Sequence, residues 1–124
     1  MSANLKPAEA GVVSWSDYEL GEQSSEVRHE FVNGQLFAMS GASRNHNRIA
    51  ASILTDLSIK LRGKPCEVFV SDLKLRIDLG QDQLGYYPDV MVVCDEVKQE
   101  TFHATNPTVV FEVLSPSTAR IDRR

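Results

Sequence analysis

Apolar residues recur along the chain with two different periods, and the switches between them mark out the elements. From about Ser43 to Leu61, Ile49, Ile53, Leu57 and Leu61 return every four residues, and Ala50 and Leu54 widen the stripe. That is the pattern of an amphipathic helix. Gly63 closes it and Pro65 prevents its resumption. Residues 67–78 alternate instead: Phe69, Leu73, Leu75 and Ile77 share one strand face, and Asp72, Lys74, Arg76 and Asp78 the other. Upstream, Asn33-Gly34 separates Arg28–Val32 from Gln35–Met39. Asn-Gly suits the positive φ angles of a two-residue type I′ turn, so this stretch predicts a β-hairpin.

Two further runs, Tyr86–Cys94 and Thr108–Leu114, are apolar on both faces, as central strands covered by helices would be. Gly80 to Gly85 reads as a turn or loop. Near the start, Ser14 to Asp17 and Ser16 to Glu19 are overlapping capping-box spacings for a short helix that Gly21 can stop. Trp15 and Tyr18 would pack it on the main body. Residues 1–13 lack periodicity and read as a loose lead-in, leaving 14–124 for one domain. Ser117 to Arg124 resembles the start of a helix that nothing completes, so a C-terminally truncated domain is expected. Strands and helices in this order predict an α/β (α+β) fold.

Composition narrows the class. No stretch approaches the roughly 18 to 20 apolar residues that span a bilayer, and the N-terminus lacks a signal-peptide core. Cys66 and Cys94 have no CxxC partner or neighbouring His, and read as separate thiols in a reducing, cytoplasmic setting. A net charge of −4 argues against tight nucleic-acid binding over the whole surface. Its distribution is uneven, because residues 40–76 hold seven basic side chains against three acidic ones. Arg44, Arg48, Lys74 and Arg76 could meet a phosphate backbone, or simply form solvated helix and strand faces.

Two acids stand out. Asp89 opens the run Pro88-Asp89-Val90-Met91-Val92-Val93, and Glu112 interrupts Val109-Val110-Phe111-Glu112-Val113-Leu114. An ionised carboxylate in such surroundings is costly unless it finds a cation or hydrogen-bond donors. Brought within ~5 Å of each other, the two would repel by about 3 kcal/mol at an effective dielectric near that of a protein surface. A divalent metal reverses that penalty, and Mg²⁺ favours one or two carboxylates, waters and substrate phosphate oxygens. Each acid could equally be salt-bridged or lie at an exposed edge.

Several segments, in order, resemble the Uma-two family, a restriction-endonuclease-like group in the PD-(D/E)XK nuclease superfamily. They are Arg28–Leu36, the His46-containing helix, Ser71–Ile77, Tyr87-Pro88-Asp89-Val90 and Glu112-Val113-Leu114-Ser115-Pro116-Ser117-Thr118. The resemblance runs from about Trp15 to Arg124 and implies a mixed sheet flanked by helices. It also implies an endonuclease that hydrolyses DNA with Mg²⁺ or Mn²⁺. Asp89 matches the aspartate of the Pro-Asp motif and Glu112 the second acid, with Glu30 as an additional upstream glutamate. The two acids and the backbone carbonyl of Val113 would be the metal ligands.

One position departs from that pattern. The superfamily lysine should stand two residues after Glu112, where this chain has Leu114. Lys74 is the basic strand residue that could substitute, or a cation on a solvated or pairing face. His46 could lie near the metal as a proton-transfer group, or be a helix-terminal histidine satisfied by an acid. Two functional classes therefore compete. One is a Mg²⁺-dependent endonuclease. The other is a catalytically inactive nucleic-acid-binding or assembly module, with a homodimer as a candidate assembly. No glycine-rich phosphate loop, GxSxG or HExxH motif supports another enzyme class.

Overall fold

The computed structural model describes residues 11–94 and 99–114, so the expected helix start at 117–124 lies outside the described residues. Ser14 caps α1 (Trp15–Ser24), its Oγ accepting the Asp17 amide at 3.1 Å. A cap of this kind contributes about 1 kcal/mol. The helix runs through Gly21, where a stop was expected, and ends at Ser25. The hairpin forms as anticipated from β1 (His29–Val32) and β2 (Gln35–Ala38), with Asn33 at φ 49° and Gly34 at φ 90°. A Cβ on Gly34 would also stand 2.3 Å from Val12 Cγ1. The end of the expected loose lead-in is thus tied down, and the Val13 amide donates to Gly34 O at 2.9 Å.

The second helix, α2 (Arg44–Lys60), has Ser43 as cap and Leu61 at its C-terminal boundary, matching the four-residue period. It lies against β3 (Cys66–Val70) and β6 (Val90–Cys94), yet none of its residues is fully buried. Ile49 and Ile59 on this helix stay substantially exposed.

The alternating stretch 67–78 is two strands in different sheets, β3 and β4 (Lys74–Leu79), separated by a turn. The segment expected as a turn or loop is mostly strand: β5 (Asp82–Tyr86) returns antiparallel on β4 through a two-residue Gly80–Gln81 turn. One sheet has the order β2-β1-β5-β4-β7, where β7 is His103–Ala104 and runs parallel to β4. The other, β3-β6-β8, is antiparallel, with β8 at Val109–Phe111. Central β6 is buried from Val90 to Val93, as its apolar run demands. Among the described residues its companion β8 is a short, half-exposed edge strand instead of a second central one.

The main core lies between the sheets, where Leu75 and Ala104 meet Met91 and Val93, with Phe69, Ile77 and Tyr86 around them. On the far side of the larger sheet, α1 lays Trp15 and Tyr18 over Phe31. The Trp15 ring meets Tyr18 and Phe31 edge-on, with centroids 5.1 and 5.2 Å away. Such pairs add ~0.5–1.5 kcal/mol beyond area burial. The polar face of β4 lies under this helix. Arg76 stacks on Trp15 at 4.8 Å and Lys74 is buried.

Cys66 and Cys94 are joined as a disulfide, which corrects the expectation of two separate thiols. The antiparallel register sets these residues directly opposite each other at the ends of β3 and β6, a relation that sequence spacing does not reveal. The cytoplasmic address loses the support it drew from free thiols. No described helix is long and apolar enough to cross a membrane.

Candidate metal and active site

The chain changes sheets between Tyr86, the last residue of β5, and Val90, the first of β6, and Asp89 sits in that crossing. Pro88 cannot donate to a ladder, so the backbone leaves sheet pairing there at little cost. Glu112 directly follows β8, the antiparallel neighbour of β6, whose register sets Phe111 opposite Val90. The two acids therefore emerge at the same end of the same strand pair.

Both line a cleft of about 880 Å³ together with Glu30 from β1, His46 and Asn47 from the first turn of α2, and the loop from Met39 to Ser43. Arg28, Ser71, Tyr86, Tyr87, Val113 and Leu114 complete the wall. Asp89 is held from two directions. Its Oδ2 lies 3.1 Å from His46 Nε2 and accepts the Val113 amide at 2.7 Å. His46 is in turn set by the cap of α2, its amide donating to Ser43 Oγ at 3.1 Å.

Electrostatics mark Glu112. Burial, followed by the charge of Asp89, pushes its carboxyl up to about 7. The Tyr86 hydroxyl is also raised, first by burial and then by Glu112 and Glu30. These shifts register negative charge gathered in one half-buried place.

Of the residues singled out in the sequence, the cleft brings together Glu30, His46, Asp89, Glu112 and Val113. It does not include Lys74. That side chain points beneath α1, its Nζ 6.0 Å from the Tyr18 ring centre, 5.7 Å from Tyr87 and 5.9 Å from Phe102. Burial lowers its pKa, and Glu19 and Glu22 oppose the shift. Lys74 is a packed cation held by aromatic faces and helix acids. The described lining of the cleft holds no lysine, and its one guanidinium belongs to Arg28. Arg28 stacks over Tyr87 at 5.4 Å, donates to Ser71 O and contacts Asp72 Oδ1 at 3.2 Å. Its signal was present in the sequence, because residues 28 and 30 share a face of the same extended stretch.

The donor set suits a hard cation that keeps much of its own water. Among the described residues, no three His, Cys, Asp or Glu side chains close into a metal cage by themselves. One or two carboxylates with waters and substrate oxygens is the arrangement Mg²⁺ prefers. A cation there would also relieve the cost of ionising Glu112 beside Asp89.

Residues 15–124 match the family model Uma2, described as "Putative restriction endonuclease". The uncharacterized protein slr1290 of Synechocystis sp. (strain ATCC 27184 / PCC 6803 / Kazusa) is 38% identical over 124 residues, 99% of this chain. A second uncharacterized protein of that strain, sll1609, is 33% identical over 115 residues, 90% of this chain. This chain spans 64% of the length of each. A crystal structure from Anabaena variabilis ATCC 29413, titled a putative nuclease belonging to DUF820, superposes with a TM-score of 0.65. It is 15% identical, and the match covers 90% of this chain and 64% of that one. That likeness supports a restriction-endonuclease-like α+β fold. By the match over nearly its whole length, the chain belongs to the Uma2 family of nuclease-like proteins.

Proposed function

We propose that the cleft is the active site of a Mg²⁺- or Mn²⁺-dependent endonuclease that hydrolyses DNA phosphodiester bonds. The observation that carries this reading is the convergence of Asp89 and Glu112 on one cleft, with Glu112 held near neutral pKa by burial and by Asp89. Asp89 and Glu112 would hold the metal, with the Val113 carbonyl as the backbone ligand that the family pattern assigns. Glu30 adds a third carboxylate to the wall. When bound, the metal would supply Lewis-acid activation of water and stabilisation of the charge developing at phosphorus.

The protein's own groups have separable tasks. The Val113 amide and His46 fix the Asp89 carboxylate in one orientation. In this reading His46, bonded to Asp89, would hold or pass a proton beside the attacking water. Arg28 adds a cation to the cleft lining, suited to a phosphate oxygen. A cytoplasmic address, where DNA is accessible, belongs to this proposal.

Incubating the chain with plasmid DNA and Mn²⁺ tests the proposal. Cleavage that disappears in Asp89→Ala and in Glu112→Gln supports it, and equal cleavage by either variant overturns it.

A second reading has its own observation. With Leu114 in the lysine position and Lys74 under α1, the described cleft lacks the superfamily's lysine. This favours a metal- and DNA-binding module without turnover. Retention of DNA with Ca²⁺ or Mg²⁺, weakening steeply with salt and without cleavage, would distinguish it.

A further inference from the structure

The ladder between β1 and β5 ends early. Phe31 pairs with Gly85 and Val32 with Leu84. Continued in that antiparallel register, Glu30 would face Tyr86 and His29 would face Tyr87. The strands part there instead, as the chain turns toward Pro88 and Asp89.

What spans the gap is Glu22, at the end of α1. Its Oε1 accepts the His29 backbone amide at 2.8 Å and the Tyr87 hydroxyl at 2.7 Å, and its Oε2 lies 2.6 Å from His29 Nδ1. Its side chain is only 6% exposed. The Tyr18 hydroxyl donates to the His29 carbonyl at 2.5 Å, so α1 holds both backbone groups of the residue preceding Glu30. A carboxylate accepts several such donors at once, and charge-assisted bonds of this kind are short and strong.

We infer that Glu22 is a positioning residue for the cleft: its carboxylate replaces the missing ladder bonds and fixes how far apart the Glu30 strand and the Asp89 crossing stand. It touches neither metal nor substrate. Its action passes through His29 to Glu30 and through Tyr87 to Asp89. The functional part of this inference rests on the metal-site reading above.

The test is Mn²⁺ titration of the full chain by calorimetry at a temperature where circular dichroism shows every variant folded. Glu22→Ala removes the acceptor for all three contacts, and Tyr87→Phe removes one bond alone. Mn²⁺ affinity should fall by ~10-fold in Glu22→Ala and by less in Tyr87→Phe, and the double variant should lose less than the two effects combined. Val93→Ala, in the core between the sheets, should lower the melting temperature without changing Mn²⁺ affinity. Unchanged affinity in folded Tyr87→Phe, or a loss in Val93→Ala equal to that in Tyr87→Phe, would overturn the inference. Failure of the unaltered chain to bind Mn²⁺ would instead remove the metal-site reading.

Discussion

His46 and Asp89 are 43 residues apart in sequence, and their side chains meet at 3.1 Å. The imidazole is carried by the first turn of α2 and the carboxylate by the crossing between the sheets. The contact therefore couples the placement of a helix to the orientation of a proposed metal ligand. Outer partners of this kind typically govern metal affinity by 10–100-fold. His46→Ala should weaken Mn²⁺ binding by ~10-fold in calorimetry, with a stability loss of no more than ~1 kcal/mol in thermal melts. Full affinity would leave His46 only a packing role.

Glu112 gives the metal-free protein a distinct pH response. Its carboxyl lies at about 7 when folded, raised by burial and by Asp89. Well below the ordinary glutamate value of about 4.3 the folded and unfolded chains both hold this proton, and the group contributes nothing to pH dependence. As pH rises toward 7 the unfolded state releases the proton first, so stability falls and then levels off above 7. Glu112→Gln removes that penalty. With allowance for solvent screening of a half-buried group, the variant should be more stable by on the order of 1 kcal/mol at pH 8. Melts at pH 4 should show no such difference.

The same group governs metal binding. A carboxylate must be ionised to hold Mg²⁺ or Mn²⁺, so binding below pH 7 displaces a proton from Glu112. Mn²⁺ affinity should fall by up to ~10-fold per pH unit from 7 toward 6, and flatten above 8. Calorimetry in buffers of differing ionisation enthalpy would detect the released proton. An affinity constant between pH 6 and 8 would remove Glu112 from the ligand set.

Lys74 offers a contrast between fold and site. It is buried against Tyr18, Tyr87 and Phe102, near Glu19 and Glu22, and does not line the cleft. Lys74→Met keeps most of the volume but leaves the helix acids without their cation. It should cost about 1–3 kcal/mol in denaturant unfolding. The activity or metal affinity of the folded fraction should remain within about twofold. A specific loss of cleavage with normal stability would return Lys74 to the chemistry.

These outcomes show which features local pattern could carry. The Asn33-Gly34 hairpin and the span of α2 follow from turn chemistry and a four-residue period, both local properties, and they appear where the sequence sets them. Within 67–78 the alternation is regular only from Asp72 onward, since Val68, Phe69 and Val70 are all apolar, and it does not register that the chain changes sheets at Ser71–Leu73. Nor can it tell a solvated polar face from one roofed by aromatics, so Lys74 was legible as part of a polar face and not as buried. The cleft acids were visible because a carboxylate in an apolar run violates local preference. Glu22 violates nothing in an exposed-looking helix, and its role comes from a sheet divergence that no spacing encodes. The Cys66–Cys94 pairing likewise depends on the register between β3 and β6.

Two glycines should respond to the same substitution with opposite signs. Gly85 lies in β5 opposite Phe31, and a Cβ there would stand 2.5 Å from Trp15 Cζ3 and 2.7 Å from Cη2. The indole is wedged edge-on among Tyr18, Phe31 and His103, so it has little room to retreat. Gly85→Ala should destabilise the fold by about 1–3 kcal/mol, loosening α1 from the sheet and with it the Glu22 bridge. Gly21, by contrast, lies inside α1 with nothing within 4 Å of the position a Cβ would take. Alanine there restricts the unfolded chain and favours the helix, for a gain of about 0.5–1 kcal/mol. Denaturant melts of the two variants beside the unaltered chain would show midpoints moving in opposite directions. A shift of Gly85→Ala toward greater stability would contradict the packing of Trp15 on β5.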